Sequence, residues 1–196
     1  MRNSSVLDCF FMYDKMCRVG TVMGRISCLI VFVLPGKIIA EPMAISSEPY
    51  CARTDVHYEP EQFAQVLYQI VSGYPDDTRN WQLMRELFAP GAMIKPVFHN
   101  QNGHQVVDLT VDKFIELNMT LFSDVGFFET ETESKVYRVG HSATVISAYE
   151  SRTSPESAPY SKGINSFQLV NDGYRWCVIS VTWDSDKGGH EFAPLQ

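Results

Sequence analysis

The spacing of apolar residues changes once along this chain, near Phe127, and that change limits the class of fold. Before it, apolar side chains recur every three or four residues: Phe63, Val66, Leu67, Ile70 and Val71 in one segment, Phe114, Leu117, Leu121 and Phe122 in another. That is the stripe a helix turns toward a core. After it, residues 127–139, 141–151, 163–171 and 174–185 are rich in Val, Ile, Thr, Tyr, Phe and Trp and are separated by turn residues, as strands are. Helices followed by a long antiparallel meander read as α+β, because the apolar face of a sheet needs a helical layer over it.

The first helix is expected over 60–72, with Pro60 at an early helical position and Gly73 as its stop. Asp76-Asp77-Thr78 precedes a shorter helix carrying Trp81, Met84, Leu87 and Phe88, ended near Pro90-Gly91. A short strand over 92–98 and a turn at 100–103 follow, and Thr110 caps a third helix to about Phe122. Asn171-Asp172-Gly173 marks a tight hairpin, and Pro155, Ser157 and Pro159 a longer connection. Within the strands, Val145, Ser147 and Tyr149 alternate with Thr144, Ile146 and Ala148. Cys177, Ile179, Val181 and Trp183 likewise alternate with Trp176, Val178, Ser180 and Thr182. Both faces therefore carry apolar groups. One face packs against the helices around a pocket, and the other is expected to meet a second copy, giving a homodimer through the outer sheet face.

The 196 residues carry a net charge of −7, unevenly spread. Residues 1–40 hold five basic and two acidic residues, +3, which leaves −10 for the rest. An acidic domain without a Lys/Arg stripe argues against nucleic acid as a partner. Arg18 and Arg25 precede the apolar run Ile26–Leu34, and Pro35, Gly36, Ile38 and Ala40 follow it. This pattern fits a secretory signal over 1–40, hence an exported or periplasmic protein, with an uncleaved amphipathic anchor or a plain cytoplasmic extension as the alternative. The run is too short for a stable membrane span. Residues 41–55 read as a linker, 56–186 as the folded domain and 187–196 as a tail. Beyond Cys9, Cys17 and Cys28, only Cys51 and Cys177 remain. They would pair in an oxidising compartment, although Cys177 in an apolar strand reads first as a buried free thiol.

Together these elements resemble the nuclear transport factor 2-like superfamily over residues 58–186. The resemblance rests on the helix ending in Gly73, on Leu87-Phe-Ala-Pro-Gly-Ala-Met-Ile94, and on Thr110-Val-Asp-Lys-Phe-Ile115. It rests also on the closing strands Gly163-Ile-Asn-Ser-Phe-Gln-Leu-Val170 and Gly173-Tyr-Arg-Trp-Cys-Val-Ile-Ser180. It implies a cone-shaped α+β domain, three N-terminal helices packed on a curved, mostly antiparallel sheet, in a bacterial branch that includes polyketide-cyclase-like and ketosteroid-isomerase-like proteins. The isomerases carry a catalytic Asp directly before a Pro, where this chain has Lys95-Pro96. Their oxyanion-stabilising Tyr falls on Val66, and Tyr68, two residues on, is expected on another face. Both departures argue against steroid-type isomerisation.

Tyr68, His99, Glu129, Tyr149, Asn165 and Trp183 are the side chains expected to line the pocket. His99 and Glu129 are the candidate catalytic groups, able to move a proton. Tyr68, Tyr149, Asn165 and Trp183 are the candidate ligand contacts. A register step of one residue would exchange Glu129 for Phe128 and Tyr149 for Glu150. His99 would need a partner, His104 or Asp108, and otherwise reads as a solvent-facing loop histidine. Glu129, Glu131 and Glu133 share one strand face, most simply the wet side near a sheet edge, with a single inward Glu129 near the apolar start of the strand as the alternative. Asn165, on a face with Phe167 and Leu169, needs a hydrogen-bond partner. Glu150 and Arg152 fit an ion pair or a dimer contact.

His99 and His104 lack the spacing of a helical zinc pair, and no cofactor or metal is expected. GxGxxG, GxxxxGK, HExxH and GxSxG are all missing. The leading expectation is a domain that binds a small hydrophobic molecule. A cofactor-independent cyclase, dehydratase or isomerase acting on a hydrophobic carbonyl compound is the alternative, and a structural or protein-interaction module the third.

Overall fold

The computed structural model describes residues 49–195. The expected signal segment, the first part of the linker and three of the five cysteines lie outside the described residues.

A 3-10 turn, Pro60–Gln62, leads into α1 (Phe63–Val71), and α2 (Trp81–Leu87) follows with the Asn80 side chain accepting from the Leu83 amide at 3.0 Å. The cap is thus Asn80, which follows the Asp76-Asp77-Thr78 run. Strand β1 (Phe88–Asn100) starts directly after α2 and turns into β2 (Gly103–Val106). Helix α3 (Val111–Leu121) is capped by Thr110, whose hydroxyl accepts from the Lys113 amide at 3.2 Å. Strands β3 (Phe128–Val139), β4 (Ser142–Arg152), β5 (Ser161–Asn171) and β6 (Trp176–Ser185) complete the domain.

The six strands form one sheet in the order β2-β1-β6-β5-β4-β3. All neighbours are antiparallel except β1 and β6, which run parallel with Pro96 opposite Trp183. Two expectations change here. Phe88 belongs to β1 and pairs with Val178, since Pro90 removes a backbone donor that a helix interior needs. The short strand expected over 92–98 extends over Phe88–Asn100, and after the turn Gly103–Val106 forms a further strand beside it. The ladder between Phe88 and Val178 shifts before Met93, and Gly91, at φ 74°, takes up that shift.

The core lies between the helices and the inner sheet face. Phe63, Leu67, Leu87, Ile94, Val145, Leu169 and Val178 are almost completely buried there. Each such side chain contributes about 2 kcal/mol when taken from water. Two bulges rearrange faces that strict alternation would predict. Ser180 pairs with Gln168 and Val178 with Leu169, so Ile179 is an extra residue. Trp176 and Val178 therefore join Val181 in the main core, whereas Cys177 and Ile179 pack with Cys51, Ala89 and Val170. In β3, Glu131 faces Tyr149 and Glu133 faces Ala148, so Thr132 is extra and the acidic stripe is split.

Cys51 and Cys177 are joined in a disulfide with Cα atoms 5.8 Å apart, which corrects the free-thiol reading of Cys177. The bond pins the segment before α1 to β6. Arg175 reinforces it, buried with its Nη1 donating to the Ala52 carbonyl at 3.2 Å. Among the described residues, no helix is long and apolar enough to cross a membrane.

Candidate functional site

The register of the sheet collects polar side chains at one end, where β3 and β5 begin and β1, β4 and β6 finish. Glu129 stands opposite Ser151, Ser151 opposite Ser161, Tyr149 opposite Gly163, and Asn165 opposite Trp183. At this end α1 and α3 cover a cavity of about 310 Å³. Leu67, Ile94, Phe114, Leu117, Phe127 and Phe167 supply much of its apolar wall. Tyr68, His99, Glu129, Tyr149, Asn165 and Trp183 all line the same cavity.

Glu129 is placed by the junction of α1 and β3. The Ser72 hydroxyl donates to the Tyr68 carbonyl at 2.6 Å and accepts from the Glu129 amide at 2.9 Å. The carboxylate is partly buried and accepts from the Ser151 hydroxyl at 3.3 Å. Burial pushes its pKa up to about 7, against the smaller opposing pull of that hydrogen bond. The wet-side position does not hold for Glu131, and Glu129 takes the inward alternative. Both sit toward the helices, and the bulge at Thr132 puts Glu133 on the other face.

A buried hydrogen-bond chain crosses the site. A carboxylate only accepts, so Ser147 donates to Glu131 at 2.8 Å and must accept from the Tyr68 hydroxyl at 2.8 Å. Tyr68 in turn accepts from the Asn165 amide at 2.9 Å. This satisfies the lone amide on the apolar face of β5 and turns Tyr68 inward, correcting the expectation that it lies on another face. Burial, and next the field of Glu129, raise the Tyr149 hydroxyl above its ordinary range; burial does the same for Tyr68 despite its hydrogen bond to Ser147.

His99 is on β1, its side chain only 11% exposed, not on a solvent-facing loop. Its partner is neither His104 nor Asp108 but Asp184, with Nε2 and Oδ1 2.6 Å apart. The parallel pairing of β1 with β6 brings the two together. Burial disfavours the Asp184 carboxylate, but hydrogen bonds from His99 and the Ser185 amide hold it below the usual range. Asp108 pairs instead with Lys95. Glu150 binds Arg152, and Lys162 at 2.7 Å, as an ion-pair cluster outside the cavity. Asn118 in α3 is buried and donates to the Phe114 carbonyl at 2.8 Å. Among the described residues, no group of three or more His, Cys, Asp or Glu side chains is arranged to hold a metal ion.

Sequence reasoning missed Asp184, Ser151 and Tyr160 as members of this end. Tyr160 lies in the β4–β5 connection and lines the cavity, and burial and Glu129 raise its hydroxyl too.

No family model matches the chain, and no curated protein matches it. Solved structures do. A nuclear transport factor 2-like protein of unknown function from Shewanella baltica is 15% identical, over 64% of this chain and 91% of that one, with a TM-score of 0.46. The chain is similar in fold to nuclear transport factor 2-like proteins. A candidate dehydratase of that family from Streptomyces avermitilis is 11% identical, over 63% and 92% of the two chains, at a TM-score of 0.45. The yeast UBP3-associated protein BRE5 is 16% identical, over 64% and 92%, at 0.46. Lys95 and Val66 do not line the cavity, whereas Tyr68 does.

Proposed function

We propose that this domain binds a small, largely hydrophobic molecule in the cavity between α1, α3 and the sheet. The observation that carries the reading is the co-location of an apolar cavity of about 310 Å³ with a few polar groups gathered at one end. Such a volume, walled by Leu and Phe with a small number of oriented polar groups, has the composition of a ligand site. The test is Nile red, a neutral apolar dye. One equivalent should bind with a blue shift, and Leu117→Trp, which fills the cavity from α3, should abolish binding without lowering the melting temperature. Equal binding by both proteins would place the dye elsewhere and sink the reading.

A second reading, a cofactor-independent enzyme acting on a hydrophobic carbonyl compound, is favoured by one feature: Glu129 near neutrality in a cavity that also holds the His99–Asp184 pair. A carboxyl with that affinity for protons can take one from a carbon next to a carbonyl and return it. Deuterium incorporation from D2O into a bound ketone, lost in Glu129→Gln, would support this reading; no incorporation above the solvent rate would end it.

The outer sheet face carries partly exposed Ile146, Ala148, Ile164 and Ile179, which supports a homodimer formed through it. Light scattering should give twice the monomer mass, and Ile164→Glu should halve it. The disulfide between Cys51 and Cys177 supports export to an oxidising compartment, checked by fractionation and by the free-thiol count of the isolated protein.

A further inference from the structure

Five carboxylates stand toward the polar end of the sheet; Glu131 accepts from Ser147 and Gln65 and does not line the cavity, and among the other four one differs from the rest. Asp184 is held by His99, and Glu150 by Arg152 and Lys162. Asp186 accepts from the Ser161 hydroxyl at 2.9 Å and the Lys162 amide at 3.2 Å, outside the cavity lining. Glu129 lines the cavity, and among the described residues its only side-chain hydrogen bond comes from a neutral hydroxyl, Ser151. Lys187 lines the cavity too, but its Nζ donates to the Tyr160 carbonyl at 2.6 Å.

The groups around Glu129 would also suit a cation. Tyr68 from α1, Tyr149 from β4 and Tyr160 from the β4–β5 connection all lie within the field of its charge. Tyr149 and Asn165 line the cavity, and neither the Tyr149 hydroxyl nor the Asn165 carbonyl oxygen bonds to a protein group among the described residues. A protonated nitrogen beside Glu129 would meet a carboxylate, further oxygen acceptors and aromatic rings at once.

We infer that the cavity takes a small amine, an apolar body carrying a protonated nitrogen that docks against Glu129. This rests on the cavity being the ligand site, and it narrows the ligand from hydrophobic molecules in general to basic ones. A neutral ligand that accepts a hydrogen bond from Glu129 would draw on the opposite, protonated state, so the two kinds of ligand move protons in opposite directions.

Titration calorimetry with 2-phenylethylamine and its neutral counterpart 2-phenylethanol separates them, using buffers of different ionisation enthalpy. At pH 6 the amine should release close to one proton per molecule bound, because Glu129 must ionise to receive it. Its affinity should rise about tenfold from pH 6 to pH 8, the range over which a carboxyl titrating near 7 becomes charged. The alcohol should bind more weakly at pH 8 and release none. Glu129→Gln should lose the advantage of the amine while keeping the alcohol; the proton count on the unaltered protein stands even if that variant folds poorly. Nile red binding together with equal affinity for amine and alcohol, or with proton uptake, would overturn this inference and leave the pocket reading standing. If Nile red, amine and alcohol all fail to bind, both are overturned.

Discussion

Tyr149 and Gly163 face each other across the β4–β5 ladder, and a Cβ on Gly163 would stand 2.4 Å from the Tyr149 hydroxyl oxygen and 2.5 Å from the Asp184 carbonyl. The glycine is therefore the space in which the phenol lies, and Tyr149 reaches the cavity wall because its cross-strand neighbour has no side chain. The obstruction includes backbone, so it cannot be relieved by a rotamer change alone. Gly163→Ala should destabilise the domain by about 1 to 3 kcal/mol through overpacking. The same change should displace Tyr149 and weaken Nile red binding. Urea denaturation and dye titration measure the two effects, and an unchanged midpoint would refute the packing argument.

Glu129 makes stability depend on pH in a defined direction. Its pKa rises from 4.5 to about 7 on folding, so the folded state holds a proton that the unfolded chain has already released. The corresponding stability is fully present below about pH 4.5 and is lost as pH rises through about 7. The loss is on the order of 3 kcal/mol. Glu129→Gln should flatten the stability profile between pH 5 and pH 7 and should be the more stable protein at pH 8. Denaturant midpoints at four pH values decide it, and parallel profiles would count against a buried, protonated Glu129.

How much of this was legible in the sequence depends on how local each determinant is. Alternation along a regular strand puts Val145, Ser147 and Tyr149 on one face, and a single amide among Phe167 and Leu169 marks Asn165 as needing a partner. Alternation also groups Glu129 with Glu131 near the start of β3, but which face turns inward is set by the pairing with β4 and the helices above it. Bulges break the rule without a sequence signature, which is why Trp176 and Cys177 exchange faces and Glu133 parts from Glu131. Asp184 is 85 residues from His99, and only the parallel pairing of β1 with β6 joins them. Cys51 lies in a segment with no period at all, so its burial depends on Arg175, Asp172 and Cys177, none of them near it in sequence.

The disulfide spans 126 residues, a loop long enough that its closure removes much of the freedom of the unfolded chain. Reduction, or Cys51→Ser, should cost about 3 to 5 kcal/mol. Locally, the segment before α1 should loosen, because the Cys51 amide also donates to Asp172 at 3.1 Å and Arg175 holds the Ala52 carbonyl. Hydrogen exchange with and without reductant should show lost protection around residues 51–53 and in β6. An identical melting temperature in both states would remove the bond from the account of stability.

Tyr68 sits at the centre of the chain running from Asn165 to Glu131, so its hydroxyl should be worth more than one bond. Tyr68→Phe leaves the Asn165 amide without its acceptor and the fully buried Ser147 hydroxyl without its donor. The expected cost is about 1 to 3 kcal/mol, since buried polar groups stripped of a partner lose their solvation without compensation. Asn165→Leu removes the donor at the end of the chain. If the groups act as one network, the double variant should be less destabilised than the sum of the two single changes, by about 0.5 to 3 kcal/mol. A cycle of urea titrations on the four proteins gives that coupling directly. Simple additivity would mean that Tyr68 and Asn165 are held independently by the core, and that the hydrogen bond between them does not organise this wall of the cavity.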